Sequence, residues 1–160
     1  MAGILFYLSA AVAVAATIMV IIQRNAVHAL LYLIVSLLAL AIIFWLLGAP
    51  FVAALEVVVY AGAIIVLFVF VVMMIGPDTV ARAPRAWIGP VILGTVLAME
   101  LAYVLTGSAG HPVGEGAVQP REVGLSLFGP YAVAAELAAF LLLAGVVGAY
   151  HLGRREGRER

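Results

Sequence analysis

FVAALEVVVYAGAIIVLFVFVVMMI, residues 51–75, decides how the rest of the chain is read. It runs for 25 residues with one carboxylate, Glu56, and neither Lys nor Arg. As a helix rising about 1.5 Å per residue it reaches roughly 37 Å, enough to cross a bilayer with some tilt. Wound as one α-helix, Glu56 and Tyr60 stand four apart on one face, and Ala53, Ala63 and Leu67 extend that stripe. Val58, Ile65 and Val69 fall on the opposite side. A carboxylate in hydrocarbon costs about 3 kcal/mol even on lenient insertion scales, so Glu56 is expected to face protein or water. Beside it Ala61, Gly62 and Ala63 permit close helix approach and weaken the helix locally.

The whole chain fits this reading. Its 160 residues are 67% apolar and 10% charged, where soluble domains run at about half and a quarter, so an all-α integral membrane protein is expected. Five apolar segments are predicted to span, at about 3–22, 26–47, 51–75, 87–105 and 127–152. They make one five-helix domain over 1–153, followed by a charged tail, 154–160. The first segment has no basic residue before it, and Arg24 follows it, so an uncleaved helix is expected in place of a signal peptide. Asn25 is placed to cap the second helix, and Gly48-Ala49-Pro50 makes a turn short enough to force helices two and three antiparallel. Residues 76–86 read as a polar loop and 107–126 as an irregular one.

Arginine placement sets the orientation. With the N-terminus outside and the C-terminus in the cytoplasm, Arg24, Arg82, Arg85, Arg154, Arg155, Arg158 and Arg160 lie inside, and only Arg121 lies outside. The absence of cysteine excludes disulfides, Fe–S clusters and thiolate metal sites on this chain. No phosphate-binding loop, dinucleotide fingerprint or nucleophile elbow occurs. His28, His111 and His151 are too scattered for a metal site and read as polar residues near the helix ends or loops.

Three carboxylates inside spans hold the chemistry: Glu56, Glu100 and Glu136. No basic residue within a span can pair with them, so they either carry a proton or meet water or partner subunits. Glu56 with Tyr60, and Glu136 among Ala134, Ala135, Ala138 and Ala139, are candidates for a proton or water path. A structural helix–helix hydrogen bond is the alternative for both. Glu100, near the outer end of helix four, is expected to be structural or to snorkel. Ala144 and Gly148 add a small-residue packing pair. So much flat helical surface suits a subunit of a larger assembly.

The runs NAVHALLYLIVSLLAL (25–40), ALEVVVYAGAIIVLFVFVVMMI (54–75), WIGPVIL (87–93) and LFGPYAVAAELAAFLLLAGVVGAYH (127–151) resemble the NADH dehydrogenase chain 6 family, subunit J in the bacterial complex I. The resemblance covers the chain through about residue 153, and Glu100 is not part of it. It implies a five-helix membrane-arm subunit of proton-translocating NADH:quinone oxidoreductase, in a bacterial plasma membrane. Such a subunit carries no cofactor itself. NADH, FMN, Fe–S clusters and quinone are expected on partner chains, which include the quinone-site subunit and the small and antiporter-like subunits. The resemblance also implies a π-bulge in helix three, with Gly62, Val66 and Phe68 as its hinge beside Glu56 and Tyr60. The residues themselves indicate only a polar pair next to a weak helical point. A subunit of a multi-subunit cation/proton antiporter, or a purely structural membrane scaffold, shares the same glutamates-in-small-helices logic.

Overall fold

A computed structural model describes residues 2–75, 87–106 and 117–156, and all the regular structure in them is helical. The helices are α1 (Ala2–Ile22), α2 (Ala26–Leu46), α3 (Pro50–Ile75), α4 (Ile88–Leu105), α5 (Pro120–Leu127) and α6 (Ala132–Glu156). Among the described residues five helices are long and apolar enough to cross a membrane, and α5 is not one of them. Contacts group the chain into two compact units, 1–118 and 119–160.

In the first unit α1 and α2 pack against each other and α4 closes on them. The contact is built on small residues. Ala16 and Ala39 are fully buried, with Val12, Ala13, Val35, Ile42 and Leu97 around them. Alanine at such positions brings two backbones close, and in a bilayer packing and interhelix hydrogen bonds take over the work that water does for soluble cores. Thr17 Oγ1 and Ser36 Oγ lie 2.8 Å apart across this interface, and Ser36 Oγ donates to the Ala13 carbonyl at 3.2 Å. Near its start α4 meets α2 at Gly89, where any side chain would run into the Tyr32 hydroxyl.

Both α2 ends follow from local chemistry. The Asn25 side chain accepts from Val27 N–H at 2.9 Å and His28 N–H at 3.4 Å, as the sequence predicts for a capping residue. At the far end Gly48 N–H donates to Trp45 O and Ala49 N–H to Phe44 O, each at 3.0 Å, with Gly48 at φ 82°. This is a Schellman termination, and it reverses the chain into Pro50 at the start of α3. A side chain in the left-handed region costs roughly 1–2 kcal/mol. Gly48→Val is therefore expected to lower the melting temperature of the purified protein, whereas Ala49→Gly is not; equal melting temperatures would show that the turn adapts.

In the second unit the sequence reading needs correction. The fifth span begins at Ala132, not Leu127, and part of the region expected to be irregular is helical, as α5. Pro120 opens α5; the Gln119 N–H donates to Glu122 Oε2 at 3.3 Å and the Glu122 N–H donates to the Gln119 carbonyl at 3.0 Å. The chain leaves the helical path at Phe128–Tyr131, where the sequence is FGPY, because Pro130 has no N–H to continue a ladder. α6 then runs through Glu156, three residues into the expected tail of 154–160.

Candidate functional site

The π-helical piece of α3, Glu56–Ile64, is the most unusual backbone in the described residues. Pro50–Leu55 before it and Ile65–Ile75 after it are α-helical. The Ile65 N–H donates to the Tyr60 carbonyl, five residues back, so the ladder holds one more residue per turn there. Glu56 is the first residue of the piece, and Tyr60 and Gly62 lie inside it. Val66 and Phe68 lie beyond it, in the α-helical part.

Winding explains which residues of α3 are buried. Ala53 and Ile65 are twelve apart, which in an unbroken α-helix places them roughly 120° from each other. Yet both are buried, at 5% and 2% exposure, on a helix that runs along α2. One extra residue in the ladder retards the winding by roughly 100° and brings Ile65 back to the Ala53 side. The π piece is thus held between two buried residues.

Gly62 eases this winding. A Cβ there would lie 3.1 Å from the carbonyl oxygen of Val57, five residues earlier. Such a contact is tight, and the carbonyl would have to give way. The close approach comes from the wide turn itself.

The polar pair is only partly covered. Glu56 is partly exposed and Tyr60 about half exposed. No side-chain hydrogen bond or ion pair reaches either group among the described residues. Val66 and Phe68 are exposed at 63% and 58%. On another side Val57 and Val58 line an apolar groove of about 460 Å³, shared with Leu38, Ala41 and Trp45 of α2 and with Gly94, Leu97 and Leu101 of α4. This helix therefore presents a carboxylate, a phenol and large apolar groups to whatever surrounds it.

Glu136 lies exposed in α6, in the second unit. Glu100 behaves otherwise. It does not snorkel: it is 4% exposed within the first unit, where its Oε1 accepts a 2.6 Å hydrogen bond from Ser9 Oγ of α1. Its Oε2 is buried with no partner among the described residues. The sequence reading missed Ser9, which is fully buried. A lone serine in an apolar span was the available signal, but its partner is 91 residues away. Ser9→Ala strands the carboxyl and is expected to cost about 1–3 kcal/mol, whereas Ser9→Ala with Glu100→Leu removes both polar groups and recovers most of it. Thermal melting of the two variants checks this; a double variant no more stable than Ser9→Ala would reject the pairing.

His28 packs edge-on against Trp87, with ring centroids 5.9 Å apart, and its Nε2 is buried without a partner among the described residues. No group of three or more His, Asp or Glu there has the arrangement to hold a metal. Arg82, Arg85 and His111 lie outside the described residues.

Comparison with known proteins adds a second line of observation. Residues 16–152 match the family described as NADH-ubiquinone/plastoquinone oxidoreductase chain 6. The NADH-quinone oxidoreductase subunit J of Pseudomonas aeruginosa is 52% identical over 162 residues, covering 96% of this chain and 98% of that protein. The subunit J of Escherichia coli K12 is 48% identical over 158 residues, covering 94% and 86%. That of Rhodobacter capsulatus is 38% identical over 162 residues, covering 94% and 80%.

Proposed function

The chain belongs to the NADH-ubiquinone/plastoquinone oxidoreductase chain 6 family, and on that premise we propose that it helps couple quinone reduction to proton translocation. It is a multi-pass membrane subunit of the NADH:quinone oxidoreductase complex and not itself the redox site. In this reading NADH, FMN, Fe–S clusters and quinone are bound by partner chains. The partners along the membrane arm are the quinone-site subunit and the small and antiporter-like subunits, in a bacterial plasma membrane.

One observation carries the coupling role: the π piece begins at the only carboxylate of its span. π turns within α-helices are frequent at functional sites. Glu56 and Tyr60 then serve as proton- or water-bearing groups, with Glu136 as a second carboxylate, and Gly62 marks the point where the winding changes. Conversion of the piece to α-helix would turn Val66 and Phe68 by roughly 100° relative to Glu56, opening or closing a water path beside it. Backbone groups released in such a change need partners within the assembly or from water, since lipid offers none.

An affinity tag placed after Arg160 tests assembly. Recovery of flavin- and Fe–S-bearing subunits with NADH:quinone activity is the expected result. Recovery with cation/proton antiporter subunits alone would reject the assignment.

The orientation is part of the same reading, with the N-terminus outside and the C-terminus cytoplasmic. Reporters fused after Gly76 or at the C-terminus are expected to report the cytoplasm, and one within 107–120 the outside. Most of these positions lie outside the described residues, so arginine placement supports the expectation. Outer-side activity at both Gly76 and the C-terminus would reverse it.

A further inference from the structure

We propose that the elbow between α5 and α6 is a lipid anchor, seated in the phospholipid headgroup interface on the membrane face opposite the C-terminus. The elbow exposes Leu125 at 60%, Phe128 at 88% and Tyr131 at 61%, with Leu127 also open. These bulky groups fall within seven residues, whereas Gln119, Arg121 and Glu122 gather at the start of α5. The result is a short helix with a polar entry and an apolar exit.

Tether length fixes the depth. α6 begins at Ala132, where the spanning segment itself begins, and only Phe128–Tyr131 separates it from α5. Four residues extend at most about 14 Å, so the elbow cannot leave the interface zone that flanks the hydrocarbon core. Nor is the connection slack. Phe128 N–H donates to Gly124 O, Tyr131 N–H to Ser126 O, Ala132 N–H to Gly129 O and Ala135 N–H to Tyr131 O, at 3.0–3.2 Å. Gly129 lets the turn close this tightly, because a Cβ there would sit 2.7 Å from the Leu125 carbonyl oxygen. The knob is therefore carried by the end of a spanning helix.

Chemistry and continuity agree with that placement. Phe and Tyr at a span end suit the interface, where the ring meets acyl chains and the phenol meets water. The exposed apolar surface continues into Val133 and Leu137 of α6, so it joins the face the span presents to its surroundings.

The test uses the assembled complex in native membranes, with the photoreactive residue benzoylphenylalanine replacing Phe128, and separately Glu122. Illumination followed by intact-mass measurement of this subunit is expected to show a gain of one phospholipid at position 128 and none at 122. A crosslink from position 128 to another protein chain would assign the elbow to a subunit interface and overturn the proposal. Absence of any adduct at 128 would place it in water and equally overturn it. Should the 128 variant fail to assemble, Tyr131 takes the probe with the same outcomes. The result does not depend on the coupling role of α3.

Discussion

Gly62→Leu is expected to leave the assembled complex near its normal amount while lowering its coupled turnover about 5–30-fold. The Gly62 hydrogen faces the Val57 carbonyl across the wide turn, and a Cβ would approach that oxygen to 3.1 Å. In an α-helix the carbonyl five residues back is not in this position, so the added atom penalises the π form selectively. A bias of about 1–2 kcal/mol changes a two-state ratio about 5–30-fold, which sets the expected size. Gly62→Ala adds only the Cβ and should move in the same direction by less. That variant separates winding from any clash of a larger side chain with a neighbour, because Gly62 is exposed on this chain. Native-gel quantification with proton uptake into vesicles reads both quantities. Unchanged pumping by an assembled Gly62→Leu complex would reject a role for the π turn in coupling.

Glu56→Gln is expected to assemble normally but to lower the number of protons moved per electron. The amide keeps the shape and the hydrogen-bonding capacity of the carboxyl, so a purely structural role predicts no loss. A proton-bearing role predicts a loss, because the amide does not titrate. The effect is expected to be partial. Glu136 and groups on partner subunits offer parallel routes. Tyr60→Phe should show a smaller change of the same kind, since it removes a hydroxyl beside the carboxylate without altering packing. Proton-to-electron stoichiometry in reconstituted vesicles decides. An unaltered ratio in intact Glu56→Gln complex would leave Glu56 with a structural role only.

Much of the architecture was legible because membranes make strong demands on sequence. A chain crossing hydrocarbon must satisfy its backbone internally, so a long apolar run with few charges can hardly be anything but a helix. Residues 51–75 and the other long runs therefore announced five spans directly. The α2 boundaries were equally local. Asn25 caps through its own neighbours, and Gly48 turns the chain because glycine alone enters the left-handed region freely. Signals of this kind act over four or five residues and need no tertiary context.

Where information depended on distant partners, the sequence was silent or misleading. Glu100 read as structural or able to snorkel; it is buried against Ser9, 91 residues away, a partner the sequence did not indicate. The fifth span was read from Leu127, but the short helix α5 and the FGPY elbow interrupt that apolar run. Composition does not reveal a change of direction within an apolar stretch. Helix three is the clearest instance. Its residues identified a polar pair beside a weak glycine, but strict α winding set Ile65 opposite the Glu56 stripe. In the fold Ile65 is buried like Ala53, because the ladder from Glu56 to Ile64 takes on an extra residue. Hydrophobicity determined that this segment is a membrane helix. Only the packing of Ala53 and Ile65 along α2 decided how that helix is wound.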